Sequence, residues 1–241
     1  MPSGEPLLSI LIPIYNERQT LPVLMNKVLS VPFQIPFEVV AVDDCSRDGS
    51  AELLSALSLG NGCIRPFFHR QNRGKAAAVH TAIKEMKGDI AIIQDADLEY
   101  DPGDIPRVIQ PILDGRADAV YGSRFSVSAC MRVSSLLPRL ANQLLTFVTN
   151  VTCGLNLTDM ETCYKACRAD ILRQLRLNAS GFALEPEITV RLKQWGARVC
   201  EVPINYWGRS YQQGKKITWK DGLQALWVLI FTAYIDKQYN G

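Results

Sequence analysis

The sequence predicts an α/β domain built on a mostly parallel sheet. Two observations carry that reading: short apolar, β-branched runs alternate with segments of helical periodicity through the first half, and polar residues cluster where the runs end. The chain's 241 residues fit one such domain.

Residues 7–14 (LLSILIPI) form a short apolar, β-branched run, the pattern of a parallel strand covered on both faces. Across 18–30, Leu21, Leu24 and Val28 recur at helical spacing. A second strand is predicted at 37–42 and a helix from about 49, carrying Leu53, Leu54 and Leu57. Residues 64–68 read as a strand whose Pro66 suits a sheet edge. The Ala-rich stretch 75–87 predicts a helix stopped by Gly88, and 89–94 a strand running straight into Asp95. Asp104 is placed to cap a helix reaching about 114, and 117–121 closes the series as a strand. The second half is less regular: a basic, Ser-rich stretch at 123–139, a helix near 140–153, a polar turn at 156–162 and a helix opening at Pro186. In that last helix Ile188, Leu192 and Trp195 share a face and Gly196 is the stop.

Composition removes several classes of function. With 26 basic against 24 acidic residues the net charge is +2, too balanced for a general nucleic-acid binder. Seven cysteines without a CxxC pair read as reduced thiols, which points to a cytoplasmic protein. Only His69 and His80 are available for histidine chemistry, and both are expected to be structural. The N-terminus does not read as a signal peptide. The longest apolar run near the end, 223–235, is shorter than the roughly 20 residues a membrane span needs.

Ligands of parallel sheets sit beyond the carboxyl ends of strands. There this sequence places Tyr15-Asn16-Glu17, Asp43-Asp44 and Asp95-Ala96-Asp97. Residues 13–17 contain no glycine, so the dinucleotide fingerprint is absent, and Gly74-Lys75-Ala76 lacks the spacing of a phosphate-binding P-loop. Two carboxylates flanking Ala96 at a strand end suit Mg²⁺ or Mn²⁺ shared with a diphosphate; two solvated turn residues are the alternative. Asp43-Asp44 serves equally as ligand or helix cap, Glu17 as ligand or as an anion at a helix start. Arg124, Arg132 and Arg139, and later Arg209, Lys215 and Lys216, suit phosphate or open solvent.

In this order the motifs resemble those of family 2 glycosyltransferases of the GT-A fold, near the dolichol- and polyprenol-phosphate sugar synthases. The resemblance rests on Pro13-Ile14-Tyr15-Asn16-Glu17, Val42-Asp43-Asp44-Cys45-Ser46, Asn72-Arg73-Gly74-Lys75, residues 94–99 (QDADLE) and Tyr121-Gly122-Ser123-Arg124. It continues through 158–165 (TDMETCYK), 182–187 (FALEPE) and 201–204 (EVPI). It implies a nucleotide-sugar half at 1–125 and an acceptor half at 126–241. Pro13, Tyr15, Glu17, Val42 and Asp44 would hold the nucleoside, with Gly74 and Lys75 in the same donor site. Asp95 and Asp97, flanking Ala96, would hold Mg²⁺ or Mn²⁺ with Glu99. Arg124, Arg209 and Lys215 would contact donor or acceptor phosphates, Arg124 and Arg132 the acceptor's.

The implied reaction is single displacement with inversion, moving mannose or glucose from GDP-mannose or UDP-glucose to a polyprenyl or dolichyl phosphate. A lipid phosphate is already ionised and needs no strong base. A hydroxyl acceptor needs one, from Asp159, Glu161, Glu185 or Glu187, with Glu185 expected just outside the helix that Pro186 opens. The further alternative is a non-catalytic nucleotide-sugar binding module. Trp219, Trp227, Tyr234 and Tyr239, preceded by Lys215, Lys216 and Lys220, suit a helix lying at a membrane interface or one packed on the domain.

Overall fold

The computed structural model describes residues 4–125, 136–179, 181–208 and 219–234. Its strands are β1 (Leu8–Ile14), β2 (Phe37–Asp43), β3 (Ile64–Phe68), β4 (Ile90–Ile93), β5 (Ala119–Ser123), β6 (Lys165–Arg168) and β7 (Val199–Pro203). They form one sheet in the order β3-β2-β1-β4-β6-β5-β7. All pairs are parallel except those of β6, which runs antiparallel between β4 and β5. Pro66 lies in β3 at the sheet edge, where its missing N–H costs no ladder bond.

The helices are α1 (Leu21–Ser30), α2 (Ser50–Leu59), α3 (Lys75–Glu85), α4 (Ile105–Leu113), α5 (Leu136–Cys153), α6 (Ala169–Gln174), α7 (Leu184–Trp195) and α8 (Trp219–Tyr234). They explain why β1 is apolar on both faces apart from buried Ser9, whose hydroxyl donates to Glu38 Oε1 at 2.7 Å. Leu8, Ile10, Ile12 and Ile14 join one core cluster with Leu21, Leu24 and Val28 of α1 and Ile105, Val108 and Ile112 of α4. Leu11 joins the opposite cluster with Val79 and Ala82 of α3 and Ile188 and Leu192 of α7. Side chains alternate across a strand, so a sheet covered on both faces needs apolar residues at every step.

Three local expectations change. The helix predicted to 87 ends at Glu85, with Met86 extended at ψ 145°, so Gly88 is not its left-handed stop. Gly88 is required for closeness instead: a Cβ there would lie 2.5 Å from Ser9 Oγ and 2.7 Å from the Leu7 carbonyl oxygen. Asp104 precedes α4 without capping it; its carboxylate accepts from the Asn205 backbone N–H at 2.6 Å and side-chain amide at 3.2 Å. Strands β6 and β7 lie where the sequence analysis assigned none. Each is short, and β6 (KACR) carries charge at both ends, leaving too few residues to reveal a period of two.

Candidate active site

The parallel strands end along one rim, and the backbone there is unusual. The three non-glycine residues with positive φ among those described, Asn16 (55°), Cys45 (62°) and Leu98 (63°), follow the ends of β1, β2 and β4. Each such conformation costs on the order of 1 kcal/mol, so surrounding contacts must enforce it. Those contacts exist. Asn16 N–H donates to Ser46 Oγ at 2.9 Å, Arg47 N–H to Asn16 Oδ1 at 2.8 Å, and Glu17 N–H to Ser50 Oγ at 3.0 Å, tying the first loop to the second. Asp44 ties the second to the third, its carboxylate accepting from the N–H groups of Arg73 (2.9 Å) and Gly74 (2.6 Å) and meeting His69 Nδ1 at 2.7 Å. His69 Nε2 meets Thr81 Oγ1 of α3 at 2.8 Å. Gly74, at φ 85°, turns the chain into α3.

Of the expected nucleoside contacts, Tyr15 is exposed, while Pro13 and Glu17 are partly so. Val42 and Asp44 are different: Val42 is fully buried in the core beneath the rim, and Asp44 is buried with its carboxylate taken up by Arg73 N–H, Gly74 N–H and His69. Asp43 accepts from Ser46 N–H and Asp48 from Ser50 N–H, bonds within the loop; α2 is entered at Gly49 without a side-chain cap, so Asp43-Asp44 does not serve as its helix cap.

Lys75, at the start of α3, is the hub of the rim. Its ammonium lies 2.9 Å from Asp95 Oδ1, 3.1 Å from Glu185 Oε1 and 2.9 Å from Cys163 Sγ. Burial alone would discharge it, but Asp95, Cys163 and Glu185 outweigh burial and hold its pKa well above the ordinary lysine value. Strand β4 stops at Ile93, so Ala96 and Asp97 lie in a turn and not on the extended backbone the sequence suggested. Ala96 packs into the core, and Asp97 Oδ1 accepts from Glu99 N–H at 3.1 Å. Glu99 Oε2 accepts the Tyr206 hydroxyl at 2.5 Å, and Tyr206, Tyr100 and Tyr164 form a connected aromatic wall beside it.

At the end of β5, Arg124 grips Asp159 through Nε (2.7 Å) and Nη2 (2.8 Å), its own backbone N–H adding a third bond at 3.0 Å. The guanidinium carbon lies 5.0 Å from the centre of the Tyr206 ring. Burial would raise the Asp159 carboxyl, yet Arg124 holds it below the ordinary carboxylate value. Glu201 of β7 accepts the N–H groups of Thr158 and Asp159 and fixes the loop that presents them.

These contacts sort the four carboxylates considered as bases. Asp159 is fully buried with both oxygens engaged and its pKa lowered, which makes it a poor proton acceptor. Glu187 is committed to the backbone N–H groups of Asn178 and Ala179. Glu161 and Glu185 each retain a buried oxygen without a hydrogen-bond partner. Burial and the Glu185 charge push the Glu161 carboxyl up to about 7. Glu185 lies inside the first turn of α7, not outside it, because Pro186 falls where a helix N–H has no partner to lose.

Among the described residues no three His, Cys, Asp or Glu side chains converge as a complete cation cage. Asp95 and Asp97 nevertheless offer the hard oxygen ligands that Mg²⁺ and Mn²⁺ prefer. One or two carboxylates suffice where a diphosphate and water complete the shell, so the donor set fits a hard divalent cation whose remaining ligands come from outside the protein. Arg132, Arg209, Lys215 and Lys216 lie outside the described residues, as does Tyr239. Sequence reasoning missed the tyrosine wall and the loop clamp by His69. Tyr206 and His69 act through partners 107 and 25 residues away, which no local spacing displays.

The family model described as glycosyl transferase family 2 matches residues 9–176. The chain belongs to that family. It is 28% identical over 215 residues to a dolichol-phosphate mannosyltransferase of Pyrococcus furiosus, covering 87% of this chain and 60% of that protein. It is 32% identical over 213 residues to an undecaprenyl-phosphate 4-deoxy-4-formamido-L-arabinose transferase of Aeromonas hydrophila, covering 87% and 62%. The family 2 chain thus spans about three fifths of the length of these relatives. Its fold matches glucosyl-3-phosphoglycerate synthase of Mycobacterium tuberculosis, solved with Mn²⁺, uridine diphosphate and glucosyl-3-phosphoglycerate, at a TM-score of 0.72 and 17% identity, covering 96% of this chain and 81% of that one. A second structure of that synthase, with Mg²⁺ and uridine diphosphate, matches at 0.71. The architecture is the GT-A fold.

Proposed function

We propose that this chain carries a metal-dependent, inverting glycosyl transfer in which a hexose, mannose or glucose, passes from a nucleotide-sugar such as GDP-mannose or UDP-glucose to a polyprenyl or dolichyl phosphate. The observation that carries the reading is the rim itself: acidic Asp95 and Asp97, cationic Lys75 and pinned Arg124 gathered at the strand ends of a family 2 domain. Two relatives named for transfer to, or synthesis on, polyprenyl phosphates support the acceptor class.

Residues 1–125 form the donor half and 126–241 the acceptor half. Asp95 and Asp97 would hold Mg²⁺ or Mn²⁺, which when bound supplies positive charge against the departing nucleoside diphosphate. Lys75 adds a buried cation beside Asp95. Arg124, fixed by Asp159, sets positive charge at the end of β5 without reorganisation during the reaction. The Asp44 clamp holds the third loop, so that Gly74 and Lys75 meet the donor in one geometry. A phosphate oxygen attacks the sugar carbon as the diphosphate leaves from the opposite side, inverting it.

A hydroxyl acceptor is the second reading. The unpartnered oxygens of Glu161 and Glu185, and the Glu161 carboxyl's titration near 7, favour it. Substituting Glu161, which does not contact Lys75, by Gln separates the readings: a lipid phosphate acceptor tolerates loss of a base, a hydroxyl acceptor does not. Donor binding without transfer to either acceptor would leave only a binding module.

Among the described residues no helix is long and apolar enough to cross a membrane. We place the protein in the cytoplasm, peripheral to a membrane face. Helix α5 turns polar Asn142, Thr146 and Thr149 inward and leaves Leu140, Leu144, Phe147 and Val151 exposed, an inverted amphipathic helix. Helix α8 packs Leu229 against Val190 and Cys153 while Trp227, Ile230 and Tyr234 stay exposed, so it serves packing and leaves an apolar outer face. Because Asn142 donates to Asp159, α5 links that surface to the rim. Co-sedimentation with vesicles tests the assignment; Phe147→Glu with Trp227→Glu should release the protein to the supernatant.

A further inference from the structure

Lys75 presents a conflict. The carboxylate that belongs to the metal site, Asp95, already has a cation on both oxygens, Lys75 Nζ lying 2.9 Å from Oδ1 and 3.1 Å from Oδ2. The same ammonium reaches Glu185 Oε1 at 3.1 Å, and Glu185 Oε2 is buried without a hydrogen-bond partner. All three side chains are largely shielded from water, which strengthens every charge interaction among them.

We infer that Lys75 is an internal counter-cation of the metal site: it is shared between Asp95 and Glu185 until the nucleotide arrives, and then gives up Asp95 and keeps Glu185 and the incoming diphosphate as its partners. The inference rests on Asp95 being a metal ligand. Its physical content is competition. A divalent cation alone must approach Asp95 against the Lys75 ammonium and gains only two carboxylates. A nucleoside diphosphate brings further oxygen ligands for the metal and draws the ammonium to its own negative charge. Glu185, with one buried oxygen unused, is the second seat that lets the ammonium leave Asp95 without becoming an unpaired buried charge. Lys75 therefore makes metal and nucleotide binding mutually dependent, and linkage requires the dependence to be reciprocal.

The test is Mn²⁺ binding to the whole protein, followed by electron paramagnetic resonance, alone and with saturating uridine or guanosine diphosphate. Lys75→Met leaves two neighbouring carboxylates uncompensated, so Mn²⁺ alone should bind on the order of tenfold more tightly than to the wild type. The enhancement of Mn²⁺ binding by nucleoside diphosphate should shrink by a similar factor. Glu185→Gln should act oppositely, weakening Mn²⁺ alone several-fold, because Lys75 then has only Asp95 to hold. Opposite shifts in the two variants support the inference. Unchanged or weakened Mn²⁺ binding in Lys75→Met overturns it; if that variant does not fold, unchanged or tighter binding in the near-isosteric Glu185→Gln overturns it alone. Wild-type protein that binds no Mn²⁺ even with either diphosphate overturns the inference and the metal-dependent reading together.

Discussion

Asp159→Asn should cost on the order of 3–5 kcal/mol, because it removes one partner of a buried ion pair and leaves the other charged. Asp159 is fully buried and accepts from Arg124 Nε at 2.7 Å, Nη2 at 2.8 Å and N at 3.0 Å, and from Asn142 Nδ2 at 3.3 Å. An amide in its place keeps one acceptor oxygen and turns two donors toward groups that themselves donate. Stability of a domain is roughly 5–15 kcal/mol, so the change consumes a large fraction of it. Urea unfolding followed by circular dichroism reads the loss directly. Because the folded carboxyl titrates below its ordinary value, the pair's contribution is present above the ordinary carboxylate pKa and is lost as pH falls through the folded one. The gap between wild type and variant should therefore close in acid. Combining Asp159→Leu with Arg124→Met should be less damaging than either change alone, with a coupling of about 2 kcal/mol or more. A cost below about 1 kcal/mol for Asp159→Asn, or additive behaviour of the pair, would refute the reasoning.

Three further outcomes follow from particular contacts. Glu161, raised to about 7 from 4.5, binds more protons folded than unfolded between those values, so wild-type stability should fall by on the order of 3 kcal/mol as pH rises through that window. Glu161→Gln should flatten the slope and be the more stable protein at pH 8; parallel curves would contradict it. Gly88→Ala forces a Cβ against backbone atoms of Leu7 and Ser9 at 2.7–2.8 Å and should cost about 2–3 kcal/mol in thermal or urea unfolding, whereas a neutral result would mean the start of β1 yields. Asp97→Ala should abolish transfer while leaving the circular dichroism spectrum and melting temperature near wild type; full activity would remove Asp97 from the metal site.

The first half of the chain was legible because each of its elements announces itself locally. The apolar run at β1, the helical spacing of Leu21, Leu24 and Val28, and Pro66 at an edge all reflect forces acting within a few residues. Strand β6 was hidden because its identity comes from neighbours: Ala166 pairs with Ile92 on one side and Val120 on the other, and four residues carry no period of their own. The site shows the same division. Acidic residues at strand ends were visible as motifs, but their partners were not. Glu185 could not be placed from the rule that helices avoid residues before proline, since a first-turn proline loses no hydrogen bond. Arg124 and Asp159, 35 residues apart, looked like a phosphate contact and a separate candidate base, and only the fold makes them one pinned unit.

The central claim is transfer to a lipid phosphate. Purified protein is incubated with Mg²⁺ or Mn²⁺, polyprenyl phosphate and radiolabelled GDP-mannose or UDP-glucose in parallel, and label is counted in the organic phase. The account predicts label there with at least one donor, dependent on the metal and lost in Asp97→Ala. Label that stays in the aqueous phase with every donor, while nucleotide still binds, would contradict it.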